Sequence, residues 1–131
     1  MTPHSILIVD DEANQRLMVE QALRALAFDW TITTAASGQE ALDALAQHWP
    51  DLIITDYHMP TMNGIELITQ VRERQIPSRI ILITAYSSPE LYDAAQQLHV
   101  DQYLTKPVPL ALLRRIAAGA LEEASALGDD C

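Results

Sequence analysis

The chain cannot close an intrachain disulfide, because its one cysteine, Cys131, is also its last residue. A reducing, cytoplasmic setting is expected from that usage. Positive charge is scarce as well. Eight Lys and Arg face eighteen Asp and Glu, for a formal charge of −10, which opposes non-specific attraction to nucleic acid or anionic lipid, so direct nucleic-acid binding and a membrane surface are not expected partners. No basic stretch precedes the apolar run in MTPHSILIVDDE, and that run breaks into acids too early for a signal peptide or a membrane span. The four histidines, at 4, 48, 58 and 99, lack zinc-ligand spacing. Internal repeats, low-complexity tracts and linkers are missing too. What is present is 131 residues of which 49% are hydrophobic, enough for one domain with a real core.

Those hydrophobic residues fall into two alternating patterns. Short apolar runs, SILIV (5–9), WTITTA (30–35), DLIIT (51–55), RIILIT (79–84) and DQYLT (101–105), read as strands. Between and after them, apolar residues recur at i, i+3, i+4, i+7: Val19, Ala22, Leu23, Leu26; Leu42, Leu45, Ala46, Trp49; Gly64, Leu67, Ile68, Val71; Leu91, Ala94, Ala95, Leu98; and Leu113, Ile116, Ala117, Ala120. Start signals agree. Ser37-x-x-Glu40 offers a capping box, Asn63-x-x-Glu66 a cap with an acid at N3, and Ser88-Pro89 puts proline in a first helical turn. Strand alternating with helix predicts an α/β protein, a (βα)5 doubly wound parallel five-stranded sheet covered on both faces. The less apolar WTITTA suits an edge strand, whereas LIIT and IILIT suit the centre.

In such sheets ligands bind beyond the carboxyl ends of the strands, so the residues at those ends matter most. The first strand ends in Asp10-Asp11-Glu12, the third in Asp56, the fourth in Thr84-Ala85 and the fifth in Thr105-Lys106-Pro107, where Lys106 is the only lysine of the chain. Taken singly, each has a duller explanation: an acid before a helix caps it, Asp56 is a turn residue, Thr84 a strand residue, Lys106 a solvated lysine, Tyr103 a half-buried strand aromatic. Their arrival at one rim changes the reading. Adjacent carboxylates in a partly buried site repel, which a cation offsets, and oxygen-only donors suit Mg²⁺. With that charge and Lys106 drawing negative charge away, a phosphoryl group could approach Asp56, whose carboxylate would attack phosphorus to give an acyl phosphate.

The segments ILIVDDE, DLIITDYHMPTMNGIEL, IILITAY and DQYLTKP, in that order, resemble the successive signature segments of the receiver domain of two-component response regulators. The likeness runs over roughly residues 5 to 120. It implies a flavodoxin-like sheet of order 2-1-3-4-5, a receiver domain over residues 1–121 and a frayed tail at 122–131. It implies that Asp56 is the phosphoacceptor, that Asp11 and Asp56 bind Mg²⁺ directly with the backbone carbonyl of His58, and that Asp10 helps through water. Thr84 would be the switch hydroxyl, Lys106 the phosphate-binding lysine, Lys106-Pro107 a cis peptide, and Tyr103 the switch aromatic that turns into the space Thr84 vacates. The implied phosphoryl donor is a sensor histidine kinase or histidine phosphotransfer protein. The readout would be the face of the fourth helix, fifth strand and fifth helix, which could serve an output domain, a target protein or a homodimer.

Some positions depart from the family pattern. His99-Val100-Asp101 stands where Gly-Ala-Asp is usual, and Val108 follows Lys106-Pro107 where phenylalanine is common. His58 and Tyr86 are bulky at the two positions flanking the phosphoryl group, so self-dephosphorylation is expected to be slow and the chain not to be an enzyme. Two other functions compete with the switch. A haloacid dehalogenase-type phosphohydrolase needs a second acid two residues after the nucleophile, and His58 occupies that place. The other, a receiver that no longer takes phosphate and serves as a scaffold, finds no support in the sequence, since all five functional positions hold the right residue types. No output domain follows the fifth helix, so either a stand-alone receiver or a piece of a larger regulator is expected.

Overall fold

The computed structural model describes residues 4–26 and 30–129, with side chains described as far as Glu122. The elements alternate strictly: β1 (His4–Val9), α1 (Ala13–Arg24), β2 (Trp30–Ala35), α2 (Gly38–Leu45), β3 (Leu52–Asp56), α3 (Gly64–Glu73), β4 (Arg79–Thr84), α4 (Pro89–Gln97), β5 (Gln102–Thr105) and α5 (Leu110–Asp129). All strand pairs are parallel and the order is β2-β1-β3-β4-β5, as expected.

The period of two along the strands divides the core into two layers. Leu7, Val9, Ile53, Ile80 and Leu82 point to the face covered by α2, α3 and α4, where Leu45, Leu67, Ile68, Val71 and Ala95 meet them. Their neighbours Ile6, Ile8, Leu52, Ile54 and Ile81 point to the opposite face, against Leu23 of α1 and Leu113, Ala117 and Leu121 of α5. Because both faces are covered, β3 from Leu52 and β4 after its half-buried first residue, Arg79, run apolar until their carboxyl ends. WTITTA, by contrast, leaves Thr31, Thr33 and Thr34 exposed on the edge strand β2.

Local signals set the helix starts. Asn63 and Glu66 form a full capping box, and Ser88 caps α4 by accepting from the Leu91 N–H ahead of Pro89. At α2 the box is only half formed: Ser37 accepts from the Glu40 N–H, while the Glu40 carboxylate reaches past Ser37 to the Ala36 N–H at 3.1 Å. The helical spacing that took in Ala46 and Trp49 overruns this helix. α2 stops at Leu45, and Trp49, 52% exposed, lies in the loop before Pro50 rather than in the core. Leu26 lies past the end of α1 yet packs half-buried against the α1/α5 layer. His99 takes φ 57°, so histidine does hold the left-handed position after α4. α5 runs on to Asp129, past the boundary expected at residue 121, and residues 130–131 lie outside those described.

Candidate functional site

At the carboxyl edge of the sheet the strands deliver their terminal residues to one place. Asp56 is the last residue of β3 and is buried; Asp10 follows β1 directly and is buried too, while Asp11 is exposed. One carboxylate oxygen from each of the three lies within 4.8 Å of the others. Lys106 follows β5, where its backbone N–H donates to the Thr84 carbonyl at 2.8 Å and its Nζ reaches Asp56 Oδ2 at 3.1 Å. The Lys106-Pro107 peptide is cis, as the resemblance implied.

The two loops that carry the acids are held by short backbone contacts. Asp10 Oδ1 accepts from the Glu12 N–H at 2.9 Å, and Arg16 Nη1 donates to the Asp10 carbonyl at 2.6 Å. The N-cap of α1 is Glu12, with no side-chain cap bond, so the acids of the β1–α1 turn are not spent on capping. After Asp56, the Tyr57 N–H donates to the Ile83 carbonyl at 2.8 Å and the Gly64 N–H returns to the Tyr57 carbonyl at 2.9 Å. Arg16 was not singled out in the sequence, and nothing there separates it from a solvated arginine.

Thr84, the buried end of β4, is engaged locally. Its hydroxyl donates to the Tyr86 carbonyl and accepts from the Tyr86 N–H, both at 3.1 Å. His58 stands beside it, with Nε2 3.5 Å from Thr84 Oγ1, at the far limit of a hydrogen bond. The imidazole is edge-on to Tyr57 at 4.9 Å and to the exposed Tyr86 at 5.4 Å, and the His58 N–H donates to Asp56 Oδ1 at 3.4 Å. Tyr103 lies three residues before Lys106, in β5, half-buried against Tyr92 and hydrogen-bonded to Ser87. Val108, at the position where phenylalanine is common in the family, is half-buried and helps line a cavity of about 460 Å³ with Met18, Leu110 and Leu113, which Asp10, Asp56 and Lys106 also line.

Electrostatics argue for a cation. Burial pushes the Asp10 carboxyl up to about 6, helped by the charges of Asp56 and Asp11 and opposed by the Glu12 N–H and Lys106. Three oxygen donors against one ammonium leave the cluster under-neutralised, and a hard divalent ion of the Mg²⁺ type fits such donors. The sign of the pH effect follows. Asp10 holds its proton more tightly folded than unfolded, so the native state binds more protons between about pH 4 and pH 6, and stability falls as pH rises through that window. In chelator, Asp10→Asn should lack this slope and at neutral pH be more stable than wild type by about 3 kcal/mol. Thermal melts of both proteins from pH 4 to pH 8 check this; identical slopes would assign the dependence to other groups.

Residues 6–118 match the family model described as the response regulator receiver domain. The chain belongs to that family. It is 36% identical over 112 residues to an uncharacterized response regulatory protein of Staphylococcus epidermidis, covering 85% of this chain and 44% of that protein. It is 35% identical over 102 residues to the DNA-binding transcriptional regulator NtrC of Escherichia coli, covering 78% of this chain and 21% of NtrC. The receiver thus spans less than half the length of these curated relatives. Among solved structures, the CheY-like response regulator receiver domain protein from Methanospirillum hungatei superposes with a TM-score of 0.85 at 26% identity, covering 95% of this chain and 98% of the other. Among the described residues, no helix of the receiver is long and apolar enough to cross a membrane.

Proposed function

We propose that this receiver is a phosphorylation-controlled switch in which Asp56 takes a phosphoryl group from a histidine kinase or a histidine phosphotransfer protein. The observation that carries this reading is the contact of the only lysine with the buried strand-end acid, 3.1 Å from Lys106 Nζ to Asp56 Oδ2, beside two further carboxylates. An Asp56 oxygen attacks phosphorus, the new P–O bond forms as the donor's N–P bond breaks, and the imidazole leaves with the donor. Lys106 then follows the charge from the Asp56 carboxylate to a phosphoryl oxygen, and the Thr84 hydroxyl turns to another. Asp10, Asp11, Asp56 and the His58 carbonyl would hold Mg²⁺, which when bound neutralises charge on the acids and the phosphoryl oxygens. Arg16 keeps the Asp10 turn in place for that purpose.

Met18, about half exposed on α1 and lining the cavity that Asp56 also lines, offers a protein donor an apolar landing next to Asp56. The readout is the α4-β5-α5 face, whose change controls a target protein, an attached output domain or a homodimer. The net negative charge favours protein partners over nucleic acid. The receiver is an acceptor and not a turnover enzyme. His58 and Tyr86 crowd the approach of water in line with the acyl phosphate, so its loss is slow.

Intact mass after incubation with Mg²⁺ and acetyl phosphate tests this. Wild type should gain one phosphoryl adduct that persists for minutes after the donor is removed, and neither Asp56→Asn nor a chelated sample should gain any. No adduct on wild type even after long exposure would leave the scaffold reading in its place, and an adduct lost within seconds would overturn the slow-hydrolysis part alone.

A further inference from the structure

The Thr84 hydroxyl is bound at both ends to the backbone of Tyr86, and the consequence reaches beyond the site. To turn toward an oxygen on Asp56, that hydroxyl must leave the Tyr86 carbonyl, and the turn from 84 to 86 loses the bond that closes it. Ser87 is the next residue. Its Oγ lies 2.7 Å from the Tyr103 hydroxyl, a full-strength hydrogen bond by length. The Tyr103 ring meets Tyr92 of α4 edge-on, with centroids 5.4 Å apart and planes at 89°. Ser88, directly after Ser87, caps α4 through the Leu91 N–H at 3.1 Å. Ser87 therefore sits where the Thr84 turn, the start of α4 and the β5 aromatic meet.

We propose that Ser87 is a positioning residue for the switch: its hydroxyl seats Tyr103 against Tyr92 in the unphosphorylated receiver, and the seat opens when Thr84 is drawn to a phosphoryl group. This rests on the phosphoacceptor reading of Asp56 for its trigger, though the seat itself is a property of the free protein. A bond made in only one of two states biases the equilibrium toward that state, and removing it shifts the population the other way. One hydrogen bond is worth about a 2- to 10-fold shift. The sequence carried no hint of it, because Ser87 and Tyr103 are neighbours only through the β4–β5 pairing that sets Leu82 against Tyr103.

Beryllofluoride with Mg²⁺, a mimic of a phosphoryl group on a carboxylate, is the probe. Ser87→Ala and Tyr103→Phe should each tighten its apparent Kd by about 2- to 10-fold, the double variant should do no more than either alone, and Ser87→Thr should match wild type. Damage to the fold would weaken binding, so unchanged or weaker binding by Ser87→Ala overturns the proposal. A second measurement needs no phosphoryl chemistry: in carbon–proton spectra of the free protein, Ser87→Ala should move the Tyr103 ring resonances and leave those of Tyr57 in place. Unmoved Tyr103 resonances would remove the seat. If wild type binds no beryllofluoride while the Tyr103 resonances do move, the phosphoacceptor reading and the trigger fail together and the seat alone stands.

Discussion

Arg72→Ala is expected to lower the unfolding free energy by about 3 kcal/mol, a fall of about 10 °C in Tm. The half-buried guanidinium of α3 donates to four backbone carbonyls: Nε to Leu98 at 2.8 Å, Nη2 to His99 at 3.0 Å, and Nη1 to Ile76 and Ser78 at 3.1 and 3.0 Å. The first two are at the end of α4, where His99 has left the helical path, and the other two lie between α3 and β4. One side chain thus ties both loops below the sheet, at the end opposite Asp56. Burial lowers the Arg72 pKa, with the Asp101 charge opposing, which marks a cation held away from water by these contacts. Charge-assisted bonds of this kind contribute about 1.5–3 kcal/mol each when measured singly, but the contributions overlap and water reaches some of the vacated carbonyls. Arg72→Lys should recover less than half of the loss, because an ammonium cannot fork to four acceptors. Urea unfolding of the three proteins reads this directly. A loss under about 1 kcal/mol for the alanine variant would mean that water replaces the guanidinium at little cost.

Gly64→Ala should be about as damaging, and for a different reason. A β-carbon there would stand 2.6 Å from the Asp56 carbonyl oxygen, 2.9 Å from the Tyr57 Cα and 3.0 Å from Leu82 Cδ1. The first two are backbone atoms, so the chain around the acceptor must move and the Gly64 N–H to Tyr57 carbonyl bond lengthens. The expected loss is roughly 3 kcal/mol. It should come with a loss of adduct formation from acetyl phosphate at temperatures where the variant is still folded. The glycine is needed for space, since no glycine among the described residues has positive φ. A variant that melts like wild type and still takes up phosphoryl would show that the loop can give way at no cost.

Alternation of short apolar runs with helical periods was enough to read the (βα)5 order, because burial on both sheet faces leaves no other use for runs such as IILIT. The strand-end acids, Thr84 and Lys106 were legible for the complementary reason: a charge that ends a buried strand is conspicuous, and the topology then says where it lies. Trp49 misled because helical spacing carries no stop signal of its own, and α2 ends where the approach of Pro50 and β3 requires. Arg16, Arg72 and Ser87 could not be read at all. Each acts through backbone atoms or a partner brought near by another element, as Arg72 does across 26 residues to the Leu98 carbonyl. Periodicity along the chain is enough for the alternation of five strands with five helices and for the residue types at the strand ends, while the strand order came from the resemblance of the signature segments. That Lys106 reaches Asp56 and Tyr103 reaches Ser87 became visible only in the folded molecule, because those hydrogen bonds depend on distances between elements that no local pattern encodes.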